Sequence, residues 1–272
     1  GDEVIVPDIT FISTATAAVY LGATPVFCDI SVGNYCMDAS KVGDLISDRT
    51  KLVVPVHLGG RVAEVTSIRA IADSSGIKIL EDAAAALGSS INGHAAGTLG
   101  DAAIFSFTPT KTITTAEGGV IVTDDESLAE RCRLIRNFGD EGKFKWHTLG
   151  FNFRMNELSA ALGIEQLRRL DDNIAQRTAI ANRYDNAFAD LQWIERPRIG
   201  RVEFANHHAY SVLLDEAKLG VTRDDVIEQL SHRGVESRLY YPALHRLPIF
   251  AAASDPMEDV FAIASRYEKS AL

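Results

Sequence analysis

Ile77-Lys78-Ile79-Leu80-Glu81-Asp82 is the stretch on which the reading of this chain turns. Three of its first four residues are apolar, the run has strand length, and Gly76 stands where a helix C-cap belongs. The run ends on two acids and passes into Ala83-Ala84-Ala85-Ala86, so Asp82 falls at the carboxyl end of a buried strand. Ligands of open α/β sheets bind along that edge. An aspartate ahead of four alanines could equally cap a helix, and the residues alone leave both roles open.

Outward from this strand, short β-branched runs alternate with helical patterns, the signature of parallel βα units. Strands are predicted at 3–6, 25–28, 52–57, 78–81, 102–107 and 119–123, and helices at 14–21, 39–46, 65–73 and 125–137. Gly22 marks a second C-cap. From Met155 a long helical pattern puts Leu158, Ala161, Leu162, Leu167, Leu170 and Ile174 on one face, with a break near Asp171. Further strands are predicted at 209–214 and 235–240, around a short helix that Thr222 caps and Gly234 ends. The fold class is therefore α/β, a mostly parallel sheet flanked by helices, followed by a smaller α+β domain. The division falls near residue 170, giving a large domain over 1–170 and a small one over 171–272. The chain starts without methionine and stops inside a helical pattern, which reads as an internal piece of a longer protein lacking part of each domain.

A net charge of -10 and the lack of a basic stripe argue against nucleic acid. No apolar run reaches the ~20 residues that would span a bilayer, so no membrane role is indicated. Three cysteines with no CxxC pair suit inert thiols in a reducing, cytoplasmic compartment. The adjacent His207-His208 lies in a strand-like run and would point to opposite faces, so no metal site is expected.

The chemistry gathers elsewhere. Lys111 follows the strand at 102–107 and precedes the small-residue turn Glu117-Gly118-Gly119, where backbone can approach a ligand. Lysine, strand-end aspartate and Ser106 together outline a site for pyridoxal 5'-phosphate (PLP). Lys111 would hold it as a Schiff base, Asp82 would keep its ring nitrogen protonated, and Ser106 would bind its phosphate. A surface lysine remains the bland alternative. Phe11, just past the first strand, could stack on the ring or simply fill the core. Asn152 and Arg154 could cap a helix and fork an anion, or serve the ligand.

The chain resembles the PLP-dependent sugar aminotransferases of the DegT/StrS group, of aminotransferase fold type I. The resemblance rests on Gly1-Asp2-Glu3-Val4-Ile5-Val6-Pro7, Gly22-Ala23-Thr24-Pro25-Val26-Phe27, Pro55-Val56-His57-Leu58, Glu81-Asp82-Ala83-Ala84, Phe105-Ser106-Phe107 through Lys111, Glu117-Gly118-Gly119 and Gly150-Phe151-Asn152-Phe153-Arg154-Met155. The segments Lys111-Thr112-Ile113-Thr114-Thr115 and Val235-Glu236-Ser237-Arg238 through His245 are most similar to its perosamine-synthase branch. The resemblance implies Lys111 and Asp82 as catalytic residues, and Phe11, Asp82, Ser106, Lys111 and Asn152 as cofactor contacts. Asn152 would reach the phosphate in the other subunit of a homodimer with shared sites. Arg154, Arg238 and His245 are candidates for the nucleotide-sugar side, each with an ordinary surface or packing role as the alternative. The implied reaction moves an amino group, from glutamate as amino-acid donor, to a nucleotide-linked keto-deoxy sugar. Two departures stand out: Ala85 replaces the group's usual Gln or His, and Ala116 replaces its usual Gly. Ala85 is the feature that favours the rival reading, a catalytically inactive or regulatory PLP-binding paralogue.

Overall fold

The computed structural model describes residues 1–201, 203–250 and 258–272. Its centre is a six-stranded sheet whose strands lie in the order Thr24–Cys28, Glu3–Pro7, Thr50–Val53, Lys78–Asp82, Ala102–Ser106 and Gly119–Val122. In chain order the first half runs β1 (Glu3–Pro7), α1 (Ser13–Tyr20), β2 (Thr24–Cys28), α2 (Ala39–Val42), β3 (Thr50–Val53), α3 (Val65–Ser74) and β4 (Lys78–Asp82). A two-residue hairpin, β5 (Ser90–Ile91) and β6 (His94–Ala95), precedes β7 (Ala102–Ser106) and β8 (Gly119–Val122). The first five sheet strands pair in parallel, and β8 turns back antiparallel on β7. β1 is buried along its whole length, as a strand covered on both faces must be. Its Ile5 and Val6 pack with Ile79 of β4 and Ile68 of α3 in one apolar core.

The chain continues through α4 (Glu126–Arg136), α5 (Glu157–Arg168) and α6 (Leu170–Ala187). The long helical pattern breaks at Arg169, two residues ahead of the position read from sequence. The remainder holds β9 (Ile194–Glu195), β10 (Glu203–Phe204), β11 (Leu213–Leu214), α7 (Glu216–Leu219), α8 (Arg223–His232) and α9 (Ala262–Ser270). Thr222 caps α8 through a reciprocal capping box with Asp225, as its position promised.

Three expectations need correction. The strand at 52–57 ends at Val53, because Pro55 has no N–H for the ladder; Val56 still bridges Asp82 in parallel. Residues 235–240 form no strand: β11 pairs with β9 on one side and bridges Ala271 on the other, so neither of its edges is open to them. The strand at 209–214 shrinks to its last two residues, and His207 and His208 lie outside it. His207 has a left-handed backbone (φ 51°), so the alternating-face argument does not apply to that pair.

Candidate active site

Strands β1, β3, β4 and β7 are neighbours in the sheet, so their carboxyl ends open side by side. Just past β1 come Asp8, Thr10 and Phe11, and from the first turn of α1 Thr14; the end of β4 gives Asp82, the end of β7 Ser106 and the turn beyond it Lys111.

Asp82 is fixed from several directions. Its N–H donates to the Pro55 carbonyl (2.9 Å), and its own carbonyl accepts the His57 N–H (3.0 Å). One carboxylate oxygen, Oδ1, accepts the Ala84 N–H at 3.1 Å, and the other, Oδ2, accepts the Thr14 hydroxyl at 2.7 Å. Thr14 also touches Thr10 at 3.1 Å. A hydroxyl has one hydrogen, and that of Thr14 goes to the carboxylate, so Thr10 must be the donor to Thr14. A buried relay Thr10→Thr14→Asp82 thus turns the carboxylate. No helix follows Asp82: residues 83–88 form turns, and the Ala84 bond closes an Asx turn in place of the helix cap the sequence suggested.

Beneath Asp82 lies a second device. Glu81 is fully buried and accepts four donors: His57 Nε2 (2.8 Å) and the amides of Gly97 (2.9 Å), Leu99 (2.7 Å) and Gly100 (2.5 Å). His57 Nδ1 accepts the Ala63 N–H (3.1 Å), so the ring proton that meets Glu81 is on Nε2. Burial pushes the Glu81 carboxyl up, but the hydrogen bond from His57 and the amides of Gly100 and Gly97 outweigh it and hold the group below its ordinary value. His57 binds Asp82 through its backbone and Glu81 through its ring, which clamps the strand end at the site.

Lys111 sits on a turn closed by Lys111 N–H to Thr108 O (3.0 Å), Thr115 N–H to Phe107 O (2.9 Å) and Phe107 N–H to Gly118 O (2.9 Å). Buried Ile113 pins the turn. Burial lowers the Lys111 pKa, while the negative charge of Asp82 works in the opposite direction. Among the described residues its amine has no hydrogen bond. Ser106 Oγ contacts Thr108 only at 3.4 Å, the outer edge of hydrogen bonding. A half-buried amine and a hydroxyl, both left nearly unengaged beside an oriented carboxylate, fit the donor set of PLP.

Phe11 is exposed and meets Tyr241 edge-on, ring centroids 5.8 Å apart. Tyr241 arrives because Asp8 grips the segment after it: Asp8 Oδ1 accepts the His245 N–H (2.8 Å) and Oδ2 pairs with His245 Nδ1 (2.6 Å). His245 is thereby held on Asp8 and stacked on Phe261 (4.4 Å). Arg238 is exposed and ion-paired with Glu236. Asn152 Oδ1 accepts a hydrogen bond from Arg154 Nε (3.1 Å), and the Arg154 guanidinium sits 4.9 Å from the centre of the Phe138 ring. Sequence reading missed Thr10, Thr14 and the His57–Glu81 pair. Only the sequence neighbours Glu81 and Asp82 hinted at the clamp, and nothing local pointed to Thr14, 68 positions from its partner.

A parallel sheet with lysine, aspartate and serine on its carboxyl edge, followed by a small α+β portion, defines an aminotransferase-type α/β enzyme. The chain belongs to the DegT/DnrJ/EryC1/StrS aminotransferase family, whose model matches residues 1–272. It is 40% identical over 254 residues to a GDP-perosamine synthase of Caulobacter vibrioides, covering 92% of this chain and 68% of that protein. The crystal structure of DesI in the presence of its TDP-sugar product superposes with a TM-score of 0.90 at 36% identity, covering 99% of this chain and 68% of that one. The PLP form of the sugar aminotransferase Spr1654 from Streptococcus pneumoniae gives 0.92 at 27% identity, over 100% of this chain and 74% of that one. The protein is thus an aminotransferase of a sugar-modifying family. Among the described residues no helix is long and apolar enough to cross a membrane, and no group of three or more His, Cys, Asp or Glu could hold a metal.

Proposed function

We propose that the protein is a cytoplasmic, PLP-dependent aminotransferase that moves an amino group from glutamate to a keto-deoxy sugar carried on a nucleotide. The observation that carries this reading is the amine of Lys111, which makes no hydrogen bond among the described residues, has its pKa depressed by burial and lies under the charge of Asp82. PLP, when bound, supplies an electron-withdrawing ring that stabilises a carbanion at the donor's α-carbon. Lys111 Nζ would hold the cofactor at rest and, once released, would take the proton from the donor's α-carbon and deliver it to the cofactor's reacting carbon, so that the donor leaves as a keto acid. The lowered pKa favours this role, since a neutral amine is the competent base. Asp82, turned by Thr14, would meet the ring nitrogen; Ser106 would hold the phosphate and Phe11 the ring face.

In this proposal Asn152 completes the phosphate site of a second copy, and Arg154, Arg238 and His245 serve the nucleotide-sugar side. Support for a homodimer comes from exposed Phe144, Trp146, Leu149, Phe153 and Leu158, an apolar surface flanking Asn152 in sequence. The large portion ends near residue 170, where α5 gives way to α6.

The test is to load the protein with PLP, add glutamate and follow both absorbance and 2-oxoglutarate. Transfer of the amino group to the cofactor with release of the keto acid supports the proposal. A protein that loads but ignores glutamate is the regulatory or inactive paralogue and overturns it.

A further inference from the structure

Asn206-His207-His208, between β10 and β11, is fastened on every side. Asn206 is fully buried; its amide donates to the carbonyls of Ala85 (3.0 Å) and Leu87 (2.9 Å). Its Oδ1 accepts the His208 N–H (2.9 Å), and its own N–H meets Ser89 Oγ (3.0 Å), which in turn donates to Gly60 O (2.7 Å). The packing there admits only glycine: a Cβ on Gly60 would lie 1.9 Å from Asn206 Oδ1. Arg177 Nη1 closes the other side, donating to the carbonyls of His207 and His208 at 3.3 Å each.

The backbone of His208 is therefore bonded at both its N–H and its C=O, yet its ring is not. Nδ1 is buried without a partner, and the ring makes no hydrogen bond among the described residues. Buried histidine nitrogens retained for packing are ordinarily paired. A ring left unpaired on so rigid a mount suits a ligand rather than the core.

Helix α6 places that ring near Lys111. Asn173 and Arg177 are four residues apart, hence on one face and about 6 Å apart along the axis. Asn173 Nδ2 donates to the carbonyl of Thr112 (3.3 Å), the residue after Lys111, while Arg177 holds His208. Adjacent rungs of one helix so carry the Lys111 turn and the His208 loop side by side. Thr112 Oγ1 is a second buried atom without a partner in this region. On its other side the ring neighbours Tyr240 (6.4 Å), which leads through Tyr241 (4.2 Å) to Phe11 (5.8 Å).

Burial, then the charges of Lys111 and Arg177, hold His208 down at about 4, so the ring is neutral near pH 7. A buried N–H without an acceptor costs more than a bare lone pair, which puts the single ring proton on Nε2 rather than on Nδ1. Among the described residues no carboxylate pairs with Arg177. An N–H donor in a field set by two cations suits an anionic oxygen.

We propose that His208 is a ligand-binding residue of the Lys111 cleft, donating from its ring to an anionic oxygen, either a carboxylate or a phosphate. This rests on the cofactor and donor reading above. The experiment uses the full chain as wild type, His208→Ala and His208→Gln, with far-UV circular dichroism as the folding control. PLP is titrated into the apo protein, and L-glutamate into the loaded protein, with absorbance as readout. The ring 15N signals of wild-type His208 are followed during both additions.

If the oxygen is the donor's carboxylate, His208→Ala raises half-saturating glutamate by roughly tenfold while the limiting rate stays within about threefold. If it is the cofactor's phosphate, the same variant weakens PLP binding by roughly tenfold. In either case His208→Gln, which keeps an N–H near the Nε2 position, recovers most of the loss, and the 15N signals move on the matching addition. Should the alanine variant not fold, the glutamine variant and the 15N signals decide alone. Superimposable wild-type and alanine curves, or a ring whose signals stay still in both additions, overturn the role of His208 and leave the function intact. A wild type that binds no PLP overturns the function, and His208's role with it.

Discussion

Replacing Glu81 with glutamine tests whether the strand end carrying Asp82 is clamped as described. The side chain keeps its size, so the effect isolates hydrogen bonding. Each carboxylate oxygen accepts two donors: Oε1 those of Leu99 and Gly100, Oε2 those of His57 and Gly97. Whichever oxygen becomes an NH2 group then faces two N–H groups. His57 cannot adapt by moving its proton to Nδ1, because that nitrogen already accepts from Ala63. Two buried donors lose their acceptor at about 1–3 kcal/mol each, in line with the ~3–5 kcal/mol for breaking a buried pair. Glu81→Gln should therefore lower unfolding stability by about 3–5 kcal/mol, read as the urea midpoint and slope. The pH dependence gives a second reading. Glu81 is held below its ordinary value in the folded state, so its contribution is present above the unfolded pKa and disappears as pH falls through the folded one. Wild type should lose stability on that acid limb more steeply than the variant. A variant within about 1 kcal/mol of wild type at pH 7, with an unchanged acid limb, would refute the reasoning.

Thr14→Val removes a charge-assisted bond to Asp82 at 2.7 Å and should weaken PLP binding about 5–30-fold, from roughly 1–2 kcal/mol, while Thr14→Ser stays close to wild type; equilibrium titration separates them. Ala116 has a left-handed backbone (φ 65°), so Ala116→Gly should raise stability by about 0.5–1 kcal/mol, seen as a higher melting temperature. Lys111 has a pKa lowered by burial, so in the apo protein it should react with an amine-directed reagent at lower pH than the surface lysines, measured by mass-resolved labelling; Asp82→Asn, removing the charge that opposes this, should move its reactivity lower still.

How far the sequence could be read depended on the range of the interaction. β1 was visible because a strand covered on both faces reads as an apolar run, and β4 because its apolar residues lie between Gly76 and an acidic pair. Lys111, Ser106 and Asp82 were visible because each stands at a strand end beside a turn. Thr14 was not, since its only signal is a partner brought to it by parallel pairing across β1, β3 and β4. His208 was misread because an alternating pattern suggested a strand, whereas Asn206 and Arg177 impose a loop. The run at 235–240 failed for a related reason: strand-like composition does nothing when β9 and Ala271 already take both edges of β11. Ala116 was flagged as a departure from the family, and the left-handed φ there supplies the physical content.

The decisive measurement is the near-visible absorbance of the protein mixed with PLP, wild type against Lys111→Ala. Wild type should develop the band of a lysine-bound cofactor, and sodium borohydride should fix the label on Lys111. The variant should show only the spectrum of free PLP. An unaltered band in Lys111→Ala, or a reduced label on another lysine, would contradict the account.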